Sequence, residues 1–286
     1  MTEAQGAGDR GGGAGETAAD EGGPAAETGG PGTGVAVSAV DFGLKGPRGP
    51  VFHDVTFDLP AGRLGAVVGP SGSGRTCLLL ALTGRMKAGS GEARVGTARL
   101  PKQMAAVRRV SALGPVPGVT DLDISLTVAE HLRERVLLEQ RFGDSLRALL
   151  RPRRERTAAR EALLDTALDA AGLDLAALPK AERTYVRDLE RPEALRLSVA
   201  LAMLSRPQLL AVDDLDLKLS EEERAAAWSM LRGIAGAGTT VLAVSSQAPA
   251  DAVVVRTGAE ASGSSDHEDT TTKEGAPDAL AQARRA

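Results

Sequence analysis

The sequence predicts an α/β fold: a parallel-stranded phosphate-binding core, an N-terminal antiparallel β subdomain ahead of it, and a helical subdomain inserted within it. Three observations carry this. Gly69-Pro-Ser-Gly-Ser-Gly-Arg-Thr76 is a glycine-rich loop between an apolar run and a helix-forming run. Two further short apolar runs, 208–212 and 239–244, read as buried parallel strands. Between the loop and those runs, over about 126–205, apolar residues recur at three- and four-residue spacing, the period of helices.

The elements follow in order. Residues 1–34 are nearly all Gly, Ala, Glu, Thr, Asp and Pro without apolar periodicity, and read as a disordered tail. They have no basic start and no apolar stretch, so they do not read as a secretory leader. Residues 35–256 read as the folded domain. Within it, 35–41 and 51–59 alternate or cluster apolar residues like paired strands, joined by a Gly/Pro-rich turn at 46–50. Residues 64–69 form a buried strand, and 77–82 a helix that stops near Gly84. Short segments at 91–100 and 108–113 fit edge strands. Helical spacing then marks 128–140, 156–171 and 192–204. An amphipathic helix at 220–235 separates the two later buried strands. Residues 257–286 are again polar and of low complexity, with a short helix at 278–285.

Composition narrows the function classes. With 42% hydrophobic residues the folded part can bury a sizeable core. One cysteine, Cys77, excludes a disulfide framework and fits a reducing compartment. No apolar run approaches the ~18 residues that span a membrane. A net charge of −4 argues against nucleic acid as the main partner. His53, His131 and His267 are dispersed without ligand spacing, which argues against a metal held by protein ligands alone. Trp228 lies on the apolar face of 220–235 and reads as core, and Cys77 as a small buried residue. The stretch 147–160, with Arg151, Arg153, Arg154 and Arg156, reads as a solvated face. Its alternative is a patch for lipid headgroups or nucleic acid.

The loop carries the chemistry. Glycines let the backbone curl so that successive N–H groups point at phosphate oxygens, and the next helix adds its positive end. The nucleotide-binding candidates are therefore Gly69, Pro70, Ser71, Gly72, Ser73, Gly74, Arg75 and Thr76. Thr76 supplies a hydroxyl for Mg²⁺. Arg75 stands where the motif has lysine; its planar fork pairs with phosphate but does not fill the volume of a compact ammonium.

Several landmarks in order resemble the ATP-binding subunit of an ABC (ATP-binding cassette) transporter, over about 35–256. Val51-Phe-His-Asp-Val-Thr-Phe-Asp-Leu-Pro-Ala-Gly62 is similar to the strand that leads into that family's P-loop region. Leu126-Thr-Val-Ala-Glu-His-Leu132 is similar to the opening of its helical subdomain. Arg206-Pro-Gln-Leu-Leu-Ala-Val-Asp-Asp214 resembles the Walker B strand, and Thr240-Val-Leu-Ala-Val-Ser-Ser-Gln247 the switch strand.

The resemblance implies ATP and Mg²⁺ as cofactors, with Thr76 and Asp213 at the metal, the latter through water and from the end of an apolar strand expected beside the loop strand. It implies Asp214 as the catalytic residue, in place of the family's glutamate and shorter by one methylene. It also exposes departures. Ser246 stands at the switch histidine, and Leu189-Glu-Arg-Pro-Glu193 at the small-residue signature. No glutamine occurs near Leu113-Gly-Pro-Val-Pro117, where the family's glutamine loop falls. The adenine-stacking position falls near Leu44 or Lys45, with Phe42 the nearest ring.

What the resemblance implies is a subunit that couples ATP binding, and weak hydrolysis at most, to a separately encoded membrane permease. Two cassettes pair as a homodimer or heterodimer, on the cytoplasmic side of the membrane. The alternative is a catalytically decayed cassette serving as a regulatory or structural partner. A third class, a soluble ATPase acting on nucleic acid, is disfavoured by the acidic balance and by the helical insertion.

Overall fold

The computed structural model describes residues 33–47, 49–142, 152–216 and 218–258. The short helix expected at 278–285 lies outside the described residues, as do the expected tails except Thr33, Gly34, Thr257 and Gly258.

Two sheets form the frame. The first is antiparallel, built from β1 (Val37–Gly46), β2 (Gly49–Leu59), β4 (Ser90–Val95) and β5 (Ala98–Leu100), in the order β2-β1-β4-β5. β1 runs past the expected end at residue 41. It does so through register shifts around Asp41, whose φ is +49°. The second sheet is parallel and holds β6 (Ser111–Leu113), β7 (Leu209–Val212), β8 (Thr240–Val244), β3 (Leu64–Val68) and β9 (Val253–Arg256), in the order β6-β7-β8-β3-β9.

Strand alternation splits the core into two layers, because successive side chains of a strand point to opposite faces. Leu209, Ala211, Leu242, Val244 and Val67 face one cluster with Leu78, Leu79 and Leu82 of helix α1 (Arg75–Leu82). Leu210, Val212, Val241, Ala243 and Ala66 face the other, against Trp228, Leu231 and Ile234 of the helix Glu221–Gly236. That helix starts at Ser220, whose N–H donates to the Glu223 carboxylate while its hydroxyl accepts the Glu223 N–H. This reciprocal cap satisfies donors that the helix cannot. Trp228 is core, as expected, at 5% exposure.

The inserted helices are α3 (Val128–Phe142), α4 (Arg153–Ala171) and α5 (Arg191–Met203); with α2 (Met104–Val110), the later helix Glu221–Gly236 is α6. Val128, Leu132, Val136, Ala167 and Leu197 gather into a third apolar cluster that holds the insertion together. Arg153, Arg154 and Arg156 are exposed along α4, as a solvated face requires; residues 147 and 151 lie outside the described residues.

The structure corrects two expectations and adds a strand. Residues 108–110 close helix α2 rather than open an edge strand, because Met104–Val110 buries one residue, Val107, in a helical turn. The strand carrying Asp213 does not lie beside the loop strand: β8 lies between β7 and β3. β9, not foreseen as a strand, pairs with the free side of β3.

Candidate functional site

β3 is wholly buried and runs straight into the loop. At Gly69 a Cβ would strike both oxygens of Thr257. The loop turns as Ser73 N–H donates to the Pro70 carbonyl at 3.2 Å, and the Ser73 hydroxyl lies 2.6 Å from that of Thr257. Gly74 caps α1 at φ +81°, and a Cβ there would fall on the Val51 carbonyl. Only glycine fits both constraints. Pro70, Ser71 and Gly72 are exposed, and Gly72 also has φ +81°. The first turn of α1 carries no acidic side chain, so its N-terminal N–H groups meet no internal anion of their own turn.

From the second residue of α1, Thr76 Oγ1 donates to Asp213 Oδ2 at 2.6 Å. Asp213 follows β7 and is 2% exposed; its Oδ1 accepts the Asp214 N–H at 3.0 Å. Burial pushes the Asp213 carboxyl above the ordinary carboxylate range. Asp214 pushes it further, while the Thr76 hydroxyl, the Asp214 amide and Arg75 pull it down. A hydroxyl and a carboxylate side by side are the hard oxygens that magnesium takes together with substrate phosphates. Among the described residues no three His, Cys, Asp or Glu side chains cluster to hold a metal. The donors therefore fit a metal shared with a phosphate ligand, not a protein-only cage. Cys77, next on α1, is half-buried rather than buried, and its thiol is pushed up by burial and then by Asp213.

Arg75 is half-buried, and its Nη1 donates to the Ser245 carbonyl at 3.3 Å, at the end of β8. Asp214 sits at φ +47°. It lines a cleft of about 460 Å³ together with Asp213, Pro115, Leu189 and Ser198. Ser246 is exposed and its N–H donates to Asp216. The loop at 113–117 holds its shape through Thr120, which accepts from Val116 N–H at 2.8 Å and donates to the Gly114 carbonyl at 2.6 Å.

The segment 189–193 begins α5. Glu190 is the N-cap, and its N–H donates to the Glu193 carboxylate at 2.8 Å within a capping box. Two carboxylates of this chain thus occupy that helix start. Phe42 is fully buried, its ring 5.9 Å from that of Phe52, so it is a core residue and not a platform for an adenine. Leu44 is half-buried and Lys45 exposed.

Asp216, Thr120 and Thr257 escaped the sequence reading. Asp216 alone had a signal, as the third acid in Asp213-Asp214-Leu-Asp216 directly after an apolar strand.

The sequence model of the ABC transporter family matches residues 52–216, more than half of the chain. The chain belongs to the ABC transporter family. Its described domain is that family's ATP-binding cassette. The zinc transport system ATP-binding protein TroB of Treponema pallidum (strain Nichols) is 30% identical over 213 residues, 74% of this chain and 73% of that protein. Nod factor export ATP-binding protein I of Rhizobium meliloti (strain 1021) is 28% identical over 193 residues, 68% of this chain and 51% of that protein. The chain therefore spans about half the length of the Nod factor export relative. A dimeric bacterial ABC transporter cassette superposes with a TM-score of 0.59 at 17% identity, covering 77% of this chain and 94% of that one. A dimeric cassette in a post-hydrolysis state, bound to ADP and phosphate, gives 0.56 at 18% identity, over 74% and 88%. At such identities the likeness establishes the ABC cassette fold. No helix among the described residues is long and apolar enough to cross a membrane.

Proposed function

We propose that this chain is the nucleotide-binding subunit of an ABC transporter, working on the cytoplasmic face of a membrane with a separately encoded permease. Gly69–Thr76 receives the ATP phosphates, Thr76 and Asp213 hold Mg²⁺, and Asp214 acts on the attacking water. When bound, Mg²⁺ neutralises phosphate charge at the leaving group. The observation that carries the reading is the 2.6 Å bond from Thr76 to Asp213. It sets a hydroxyl and a carboxylate together at the head of a helix that follows a glycine-built turn.

Catalysis in this reading is slow. Asp214 is one methylene shorter than glutamate, and a misplacement of about 1 Å costs on the order of a hundredfold in rate. Ser246 offers no imidazole. The start of α5 presents Glu190 and Glu193, so it does not clamp phosphate for a paired cassette, identical or not.

Mg-ATP calorimetry with turnover, on the wild type and Arg75→Lys, tests the reading. Micromolar to millimolar binding with turnover above background in the wild type supports it. Binding with background turnover in both proteins points instead to a regulatory or structural cassette, and absence of binding overturns the nucleotide assignment. A large gain of turnover in Arg75→Lys alone would contradict the joint drift of several positions.

A further inference from the structure

The end of β8 is fastened twice. Ser245 Oγ lies 2.8 Å from both carboxylate oxygens of Asp216, and the Ser246 N–H donates to the same carboxylate. Ser245 Oγ also lies 2.7 Å from the Gln247 carbonyl and accepts the Gln247 N–H at 3.3 Å. The tight turn that results is 2% exposed at Ser245. The Ser245 carbonyl accepts from Arg75 Nη1 at 3.3 Å. Arg75 is 170 residues away in sequence. Its position is therefore set by a turn that Asp216, four residues beyond β7, holds in place.

We propose that Asp216 is a positioning residue for nucleotide binding: by fixing the Ser245–Ser246 turn, it gives Arg75 a protein acceptor with which the phosphates must compete. Charge-assisted hydrogen bonds are strong and directional, and the Nη1 N–H held on the Ser245 carbonyl is withheld from a phosphate oxygen, although the guanidinium's other donors are not. While the turn is fixed, part of the binding strength of Arg75 is spent on Ser245. When the turn is loosened, the guanidinium is free for phosphate. The chemistry it then recognises is a nucleoside di- or triphosphate. The proposal rests on the nucleotide reading above, and it concerns this chain's arginine, whose reach a lysine does not share.

The test is a double-mutant cycle on Asp216→Ala and Arg75→Ala, with ATP and ADP titrated by calorimetry and amide exchange followed across 245–247. Asp216→Ala is expected to tighten nucleotide binding by about threefold to tenfold in the presence of Arg75, and by less than twofold in the Arg75→Ala background. Asp216→Asn, which keeps one acceptor, returns affinity towards wild type; if Asp216→Ala fails to fold, Ser245→Ala, which removes the hydroxyl tied to that carboxylate, is expected to tighten binding in the same Arg75-dependent way. Equal effects in both backgrounds, or weaker binding in Asp216→Ala, overturn the proposal and leave Asp216 a structural tie. The exchange arm needs no nucleotide. Asp216→Ala in the nucleotide-free protein is expected to lose protection at Ser246 and Gln247, whose N–H groups are held by that carboxylate and by the Ser245 hydroxyl it fixes. Unchanged protection there overturns the linkage, whereas loss of protection without any ATP binding would instead count against the nucleotide reading alone.

Discussion

Thr76, in the first turn of α1, and Asp213, just past β7, share a hydrogen bond of 2.6 Å although β7 and the strand that leads into α1 are not neighbours, since β8 lies between them. The buried carboxylate depends on that hydroxyl. Thr76→Ala is expected to destabilise the nucleotide-free protein by about 1–3 kcal/mol, the range for stripping a partner from a buried polar group. It should also erase the gain in ATP affinity on adding Mg²⁺. Thr76→Ser keeps both. Denaturant unfolding and calorimetry with and without Mg²⁺ measure the two effects, and an alanine variant with wild-type Mg²⁺ dependence would remove Thr76 from the metal site.

Gly74 tests the loop as a shape. With φ +81° and the Val51 carbonyl where a Cβ would go, Gly74→Ala should cost roughly 1–3 kcal/mol and weaken nucleotide binding. Gly72, at the same φ but with no atom within 4 Å of its Cβ position, should cost less on the same substitution. Equal losses by urea unfolding would mean that backbone strain alone, and not the Val51 contact, sets the requirement.

Asp214 tests the chemistry. Asp214→Glu restores the missing methylene and is expected to raise ATP turnover by no more than about tenfold, because Ser246 and the acidic start of α5 are unchanged, with little change in affinity. Asp214→Asn is expected to bring turnover to background while binding persists. Steady-state hydrolysis beside calorimetry decides it; turnover unaffected by Asn would exclude Asp214 from the reaction.

The capped start of α5 tests stability apart from function. Glu193→Ala removes the acceptor of the Glu190 N–H and should cost about 0.5–2 kcal/mol in unfolding free energy. Glu193→Gln, which still accepts that bond, should cost little. If both variants unfold alike, the carboxylate charge rather than the cap is what matters there.

Asp251 supplies a pH signature. Its carboxyl is held below the usual range chiefly by the hydrogen bond from Arg232, whose Nε and Nη2 reach it at 2.6 and 3.1 Å. A folded value below the unfolded one means that the bonus is present above the unfolded value and is lost as pH falls through the folded one. Because both side chains are about half exposed, the bonus is roughly 0.2–1 kcal/mol. The difference in Tm between wild type and Asp251→Asn should be constant near neutrality, shrink below about pH 4, and shrink with salt. A difference that grows on acidification would reverse the assignment.

The parts of the site legible in the sequence are those written in contiguous residues. The apolar run, glycine turn and helix around Gly69–Thr76 follow from local periodicity and left-handed backbone demands. The acid after the apolar strand at Asp213 follows in the same way. What was not legible depends on which strands become neighbours. Nothing in residues 209–212 or 240–244 says that β8 will lie between β7 and β3, nor that β9 will close the far side. Phe42 could not be told from an exposed ring, because its burial is decided by Phe52 on the partner strand. Asp216 takes its contacts from Ser245 and Ser246, 29 and 30 positions further along the chain. Arg108 and its neighbours gave way to helix α2 because a seven-residue stretch with one buried position lacks a period that separates the two states.

β3 has a partner on each side, and both partners, β8 and β9, come from the last stretch of the described chain. The strand that launches the loop is therefore made early and paired late. As the chain emerges in order, the antiparallel sheet and the inserted helices find their contacts among themselves first. β3 must wait with both backbone edges open until more than 170 further residues have followed it, since Leu64 pairs with Val241. Such distant closure slows folding and leaves sticky edges exposed meanwhile. Thr257, which ties off the loop at Ser73, is next to last among the described residues, so the loop has its full set of partners only when nearly all of the described chain is present.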